Sequence, residues 1–150
     1  MNVNLLSDTE AEQLRQLIAE AEHIVICAHK SPDGDAVGSS LAWKSYLKQI
    51  GKTDVTVCMP DAYPDFLQWL PEANTILRYD KHPDRVQQVF DNADLVCCLD
   101  FNQYTRVEDM RPTLEGCKAK RILIDHHLEP ETNNAITVSN PNMSSTSEMV

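Results

Sequence analysis

The sequence lacks an apolar run long enough to span a membrane, and its N-terminus lacks a cleavable secretory pattern. It also lacks internal repeats and low-complexity segments. Hydrophobic residues make up 42% of the chain and charged residues 24%, which is typical of a folded globular protein. We therefore expect one cytoplasmic domain with no membrane association, and 150 residues are enough to bury a core.

Basic residues are also scarce. The 13 lysines and arginines face 23 aspartates and glutamates, which gives a formal net charge of −10. Because duplex-binding proteins need a large basic surface, we do not expect a duplex DNA partner. A small anionic substrate stays compatible with this charge, since divalent cations held by some of the acids can make a site locally neutral or positive.

The five cysteines match neither zinc-ribbon spacing nor a redox motif, and their number is odd. Four of them lie inside apolar, strand-like runs: Cys27, Cys58, Cys97 and Cys98. We expect them to be buried, reduced thiols.

Short apolar runs alternate with segments of helical periodicity along the whole chain. Strands are predicted at 24–28, 54–59, 75–79, 94–99, 122–124 and 135–139, and helices at 8–21, 36–50, 64–70, 83–92 and 104–110. Gly51 is predicted to end the second helix. This alternation predicts an α/β fold with a mostly parallel sheet covered by helices on both faces.

Four aromatic or imidazole side chains are predicted to have structural roles. Trp43 and Trp69 fall at helical spacing and are predicted to lie in the core. His23 and His82 lie outside any cluster of polar residues and are predicted to lie on the surface.

Carboxylates and imidazoles directly follow three of the predicted strands. The segment His-Lys-Ser-Pro-Asp-Gly-Asp at 29–35 follows the first strand, Asp100 follows the fourth, and Asp-His-His at 125–127 follows the fifth. Ligands of open α/β sheets bind beyond the carboxyl ends of the strands. If these three ends converge, they bring up to seven metal-competent side chains together, and the pattern therefore predicts a metal site.

The ligand types indicate the metal. Oxygen and imidazole ligands without thiolates favour Mn²⁺ or Mg²⁺, with Co²⁺ and Zn²⁺ as alternatives. One cation needs three or four protein ligands, so the surplus suits two ions about 3.5–4 Å apart that share a carboxylate. Gly34 is expected to give the loop the backbone freedom to turn Asp33 and Asp35 into one space.

The motifs resemble those of the N-terminal catalytic domain of the DHH phosphoesterase family, in particular its oligoribonuclease and phosphoadenosine-phosphate phosphatase branch. Segments 29–40, 99–100 and 125–127 resemble the first three family motifs, and 144–150 resembles a helix start typical of the branch. The resemblance extends over about residues 20–150. It implies that residues 1–150 form a metal-binding catalytic domain.

The resemblance also implies a metal ligand set. His29, Asp33 and Asp100 would hold one Mn²⁺, and Asp35, Asp100 and His126 would hold the second. Asp100 would therefore bridge the two ions and act as a catalytic residue.

Further roles follow from the same resemblance. His127 would be catalytic, assisting the substrate phosphate or a proton transfer, and Asp125 would orient a histidine through a hydrogen bond. Lys30, Arg106 and Arg121 either contact the substrate or are solvated surface residues.

One part of the family pattern is missing from the sequence. The family has a further metal-binding aspartate in a fourth motif and a small, glycine-rich, substrate-binding C-terminal domain. Nothing in 128–150 matches that motif, and a capping box at 145–148 begins a helix that Val150 leaves unfinished. We expect the domain to be incomplete at its C-terminal end.

The implied activity is Mn²⁺-dependent hydrolysis of a phosphoester. The implied substrates are short RNA oligonucleotides, dinucleotides or 3′-phosphoadenosine 5′-phosphate. Two alternatives stay open: an inorganic pyrophosphatase of the same superfamily, and a folded metal-binding fragment without turnover. The run at 36–40 fits the oligonucleotide branch better, whereas the sequence decides neither the preferred nucleotide nor whether the chain forms a homodimer.

Overall fold

The computed structural model describes residues 8–30, 34–63, 69, 73–99, 111–125 and 136–139, and gives their side chains except at 8–11, 111, 123–125 and 136–139. Over these residues four α-helices and six strands follow one another along the chain. They are α1 (Asp8–Glu20), β1 (His23–Cys27), α2 (Gly34–Gln49), β2 (Asp54–Met59), β3 (Leu77–Arg78), α3 (Pro83–Asn92), β4 (Leu95–Leu99), α4 (Arg111–Glu115), β5 (Lys120–Asp125) and β6 (Ile136–Ser139). None of the described helices is long and apolar enough to cross a membrane.

The six strands form one sheet in the order β3-β2-β1-β4-β5-β6, and every described pairing is parallel. From β1 the chain runs outward through β2 to β3 and then crosses to β4 on the other side of β1. The strand order therefore reverses between β1 and β4, which is the topological switch point where open α/β sheets bind their ligands. The predicted α/β fold with a parallel sheet is confirmed.

Helices cover both faces of the sheet, as predicted, because the buried strands alternate their side chains between two cores. Ile24 and Ile26 of β1 pack in the core that contains Leu47 of α2. Val25, between them in sequence, packs in the core that contains Phe90 of α3. Helices α1 and α2 thus lie on one face, and α3 and α4 on the other.

Helix α2 ends at Gln49, two residues before Gly51, the residue that was predicted to end it. This glycine has a φ of 98° and donates its N–H to the carbonyl of Lys48 at 3.1 Å. The next residue, Lys52, donates its N–H to the carbonyl of Leu47 at 3.0 Å. These two bonds form a Schellman motif, which requires a left-handed residue and therefore favours glycine.

The predictions for single side chains are partly confirmed. Trp43 is 7% exposed and lies in the core, whereas Trp69 is 76% exposed, so its predicted core position is wrong. Helical spacing aligns side chains on one face but does not provide an opposing surface to cover them. His23 and His82 are exposed, as predicted. The helices predicted at 64–70 and 104–110 lie outside the described residues, apart from the turn at Trp69.

Helix α4 was not predicted. Its second residue is Pro112, which is tolerated in a first helical turn because no intrahelical N–H is needed there. Arg121 of β5 stabilises the end of this helix: its Nη2 lies 2.8–3.0 Å from the carbonyl oxygens of Leu114, Glu115 and Cys117. Arg121 is the second residue of β5 and lies at the opposite end of that strand from Asp125.

We predict that Arg121→Ala lowers the free energy of unfolding by about 2 kcal/mol, because hydrogen bonds from a charged group contribute roughly 1.5–3 kcal/mol. Urea unfolding measures this difference. Arg85→Ala, at an exposed position of α3, is the matched control and is expected to stay within about 0.5 kcal/mol of the parent. Equal losses in the two variants would contradict the role of Arg121.

The amino end of β1 carries an ion pair that the sequence did not indicate. Nδ1 of His23 bonds to the carboxylate of Asp54, which is its register partner on β2. This hydrogen bond raises the pKa of His23 above its ordinary value of 6.5, and the carboxylates of Asp94 and Glu22 act in the same direction.

Because the pKa of His23 is raised in the folded state, its contribution to stability is fully present below pH 6.5 and is lost as the pH rises through the raised pKa. The stability difference between the parent and His23→Gln should therefore shrink between about pH 5 and about pH 9 in urea unfolding. In an Asp54→Asn background this trend should largely disappear. A difference that grows with pH would refute the assignment.

Candidate metal centre

The three strands that precede the predicted motifs are neighbours in the sheet and end side by side. Cys27, the last residue of β1, is opposite Cys98 of β4. Leu99, the last residue of β4, is opposite Ile124 of β5. The carboxyl ends of β1, β4 and β5 therefore lie at one edge, next to the switch point, as the motif pattern predicted.

The structure gives the side chains of two predicted site residues, His29 and Asp35. Asp125 is the last residue of β5 and is described by its backbone. The remaining predicted residues lie outside the described residues: Asp33, Asp100, His126 and His127. Over the described ranges no group of three or more His, Cys, Asp or Glu side chains converges, so the two-metal ligand set stays a prediction.

His29 lies two residues beyond β1 and is half-buried. Its Nδ1 lies 2.7 Å from the backbone carbonyl oxygen of Lys30. Because a carbonyl oxygen can only accept, Nδ1 donates the hydrogen, and the neutral ring keeps its lone pair on Nε2. A backbone bond to the second ring nitrogen is the usual way in which proteins orient a metal-binding histidine.

Asp35 is half-buried in the first turn of α2, the helix that follows β1. A carboxylate is favoured there by the positive end of the helix dipole. The helix begins at Gly34, which does not have the positive φ found at Gly51. The expected role of Gly34 as a freely turning loop residue is therefore wrong, since the start of a regular helix places Asp35 at this edge.

These two side chains fit a divalent cation. Both come from the segment after β1, one offers an imidazole nitrogen and the other a carboxylate oxygen, and neither is a thiol. Mn²⁺, Mg²⁺ and Co²⁺ accept such ligands.

Three buried thiols form a row beneath this edge, on the face covered by α3 and α4. Cys27 is in register with Cys58 on one side and with Cys98 on the other. The Sγ atoms of Cys27 and Cys98 are 3.9 Å apart. The contact with Cys98, together with burial, raises the pKa of Cys27, and burial raises the pKa of Cys58 to about 12.

The other two cysteines, Cys97 and Cys117, have partners outside the Cys27–Cys98 contact. Cys97 faces the opposite core, where its Sγ accepts a hydrogen bond from Nε1 of Trp43 at 3.3 Å. Burial raises the pKa of Cys97 to about 12. Cys117 donates to the carbonyl of Phe90 at 3.3 Å. All five cysteines are buried and free, as predicted, and soft sulfur ligands are not preferred by a hard cation.

A cleft of about 380 Å³ opens at the opposite edge of the sheet, between α1 and the starts of β4 and β5. One of its charged groups, Asp94, accepts the backbone N–H groups of Glu22 and His23 at 2.8 and 3.0 Å. This carboxylate thus fixes the entry of the chain into β1. The cleft lies at the other end of the strands from the candidate metal centre.

Comparisons with known proteins agree with the motifs. Residues 23–150 match the model of the DHH family, N-terminal domain, and this range includes every residue of the candidate centre. The chain belongs to the DHH family. The family predicted from the three motifs is therefore confirmed.

This DHH domain is 35% identical over 127 residues to the bifunctional oligoribonuclease and PAP phosphatase NrnA of Thermus thermophilus. The match covers 85% of this chain and 35% of NrnA. The crystal structure of an exopolyphosphatase-related protein from Bacteroides fragilis superimposes with a TM-score of 0.95 at 39% identity, covering 99% of this chain and 43% of that one. The chain thus spans less than half the length of either relative.

More distant structures share the fold. Two crystal structures of the exonuclease RecJ with manganese, one of them from Thermus thermophilus, match with TM-scores of 0.51 and 0.52 at 18% identity. Each match covers 97% of this chain, and 36% and 19% of the two RecJ chains. At this level of identity the similarity shows the fold alone.

We predict that Asp35→Asn weakens Mn²⁺ binding by roughly tenfold or more, because a neutral amide replaces an anionic ligand. Isothermal titration calorimetry on the whole chain measures the affinity. Asp84→Asn is a matched control, since Asp84 is also an acid in the first turn of a helix but lies on α3. Unchanged affinity in Asp35→Asn would remove Asp35 from the ligand set.

Proposed function

We propose that this DHH domain is the metal-binding part of a phosphoesterase that acts on short RNA oligonucleotides, dinucleotides or 3′-phosphoadenosine 5′-phosphate. The observation that carries the proposal is the family match over 23–150, which contains all three strand-end motifs. The similarity to NrnA, named as an oligoribonuclease and PAP phosphatase, supports this substrate class.

The proposed ligands are His29, Asp33 and Asp100 for one ion, and Asp35, Asp100 and His126 for the other. Two Mn²⁺ ions are proposed, with Mg²⁺ or Co²⁺ as alternatives. When bound, the ions supply electrophilic stabilisation of the charge that develops on the phosphate oxygens.

The protein's own contribution begins with orientation. The carbonyl of Lys30 holds His29 in the tautomer whose Nε2 can act as a ligand. The start of α2 holds the carboxylate of Asp35 at the same edge. His127 is proposed to hold or transfer a proton at the substrate phosphate, and Asp125 to orient a neighbouring histidine.

The net charge of −10 favours a short substrate over a long one. A long nucleic acid needs a continuous basic track, and this chain has few cations to build one. A short substrate needs only local contacts at the strand ends. Exposed Lys30, next to His29, places one positive charge there.

A second candidate is hydrolysis of a phosphoanhydride. The solved relative from Bacteroides fragilis is described as exopolyphosphatase-related and is 39% identical. Pyrophosphate and polyphosphate therefore belong in the same substrate panel as the nucleotides, and phosphate release from each is the readout that separates the two candidates.

We predict that Asp100→Ala abolishes Mn²⁺-dependent hydrolysis of dinucleotides and 3′-phosphoadenosine 5′-phosphate. A bridging carboxylate is shared by both ions, so its loss disturbs both sites at once. Product release is measured for the 150-residue chain and for the variant. Asp84→Asn, away from the candidate centre, should keep the parent rate.

Retained activity in Asp100→Ala would refute the bridging role. If the parent chain hydrolyses none of these substrates, the alternative of a folded metal-binding fragment without turnover is favoured.

A further inference from the structure

We propose that Cys27 and Cys98 form an oxidisable pair in which a hydroperoxide produces a reversible disulfide between β1 and β4. The two residues are register partners on adjacent strands, with Sγ atoms 3.9 Å apart. They pack in the same core, so both side chains lie on one face of the sheet.

The backbone spacing suits such a bond. Adjacent strands lie about 4.8 Å apart, inside the Cα separation of about 4.4–6.8 Å that disulfides span. The sulfur atoms must approach from 3.9 Å to about 2 Å, which strains the side chains or the strands. A strained disulfide is more readily reduced, and the bond is therefore expected to be reversible.

The oxidation balances with a hydroperoxide as the sole co-reactant. The first thiol loses its proton, and the thiolate attacks one peroxide oxygen, so that an S–O bond forms as the O–O bond breaks. The leaving oxygen takes up the proton, which gives a sulfenic acid and an alcohol, or water when hydrogen peroxide is used. The second thiol displaces water from the sulfenic acid and forms the S–S bond. The two sulfur atoms together lose two electrons, and the O–O bond accepts them.

The packing around the two thiols determines how fast the disulfide forms. Both thiols are 0% exposed, beneath a cover that includes Phe90 of α3 and Leu114 of α4. Helix α4 has five residues, too few to be stable without tertiary contacts, so its local opening is the route for the oxidant. Arg121 stabilises the end of α4, so it should slow the reaction.

The bond would join the two strands that border the switch point. Cys27 precedes His29 by two residues, and Cys98 precedes Asp100 by two residues. Interiors are closely packed, so a displacement of either strand at these positions also moves the adjoining motif residues. The consequence for Mn²⁺ rests on the proposed function: the disulfide should weaken Mn²⁺ binding by roughly tenfold or more.

The test treats the whole chain with hydrogen peroxide and maps its disulfides by mass spectrometry without reduction. A Cys27–Cys98 bond is expected in the parent, in Cys97→Ala and in Cys117→Ala, and it should be absent from Cys98→Ala. Because Cys97 and Cys98 are adjacent, the Cys97→Ala variant identifies which of them reacts. Arg121→Ala should form the same bond several-fold faster.

Two results would overturn the pair: a failure to cross-link in the folded parent, and a bond from Cys27 mainly to Cys58. A rate unchanged by Arg121→Ala would overturn the opening of α4 as the route of the oxidant. Calorimetry with Mn²⁺ before and after dithiothreitol tests the consequence, and unaltered affinity in the oxidised protein would overturn it. If neither form binds Mn²⁺, the proposed function fails, whereas the mapped bond still decides the thiol pair.

Discussion

The rest of the structure depends on the parallel pairing of β1 with β4. These strands are separated in sequence by α2, β2, β3 and α3, yet they lie side by side. Asp94 fixes the pairing at the amino end, where its carboxylate accepts two N–H groups and its own N–H donates to the carbonyl of His23 at 3.0 Å. Each residue of a parallel strand adds about 3.3 Å, so a register fixed at one end brings the opposite ends level. Because Asp94 fixes the amino ends of β1 and β4, the carboxyl ends of these strands, which precede the first two motifs, lie side by side.

Burial on both faces explains why so much of the sheet could be predicted. A parallel strand covered on both sides is apolar throughout, so runs such as Leu95–Leu99 are visible in the sequence without any partner. The strand at Asp54–Met59 and the helix at Pro83–Asn92 have their predicted bounds, because each is also marked by the pattern of its own residues. β3 is only two residues long, because the 3₁₀ turn Ala73–Thr75 takes the first residue of the predicted strand and a turn begins at Tyr79.

The features that could not be predicted depend on contacts between distant segments. Arg121 looks like a surface cation in sequence, and its role appears only when α4 brings three carbonyl oxygens to it. The meeting of the three motif-bearing strand ends could be predicted, because strand ends are local features and their side-by-side placement follows from the topology. The ring orientation of His29 could not be predicted, because it depends on a hydrogen bond to the backbone carbonyl of Lys30 in an irregular segment.

The pairing of β1 with β4 also brings the thiol row together, just before the strand ends that carry the predicted metal-binding motifs. Ala28 and Leu99, both 0% exposed, directly follow Cys27 and Cys98 in sequence and pack in the core covered by α1 and α2, on the opposite face of the sheet from the thiol row. Oxygen and imidazole ligands select cations such as Mn²⁺, and buried, protonated thiols bind them poorly. A bond between sulfur atoms in the row would act on β1 and β4, the two strands that precede the first two motifs, and would therefore also act on the candidate metal centre.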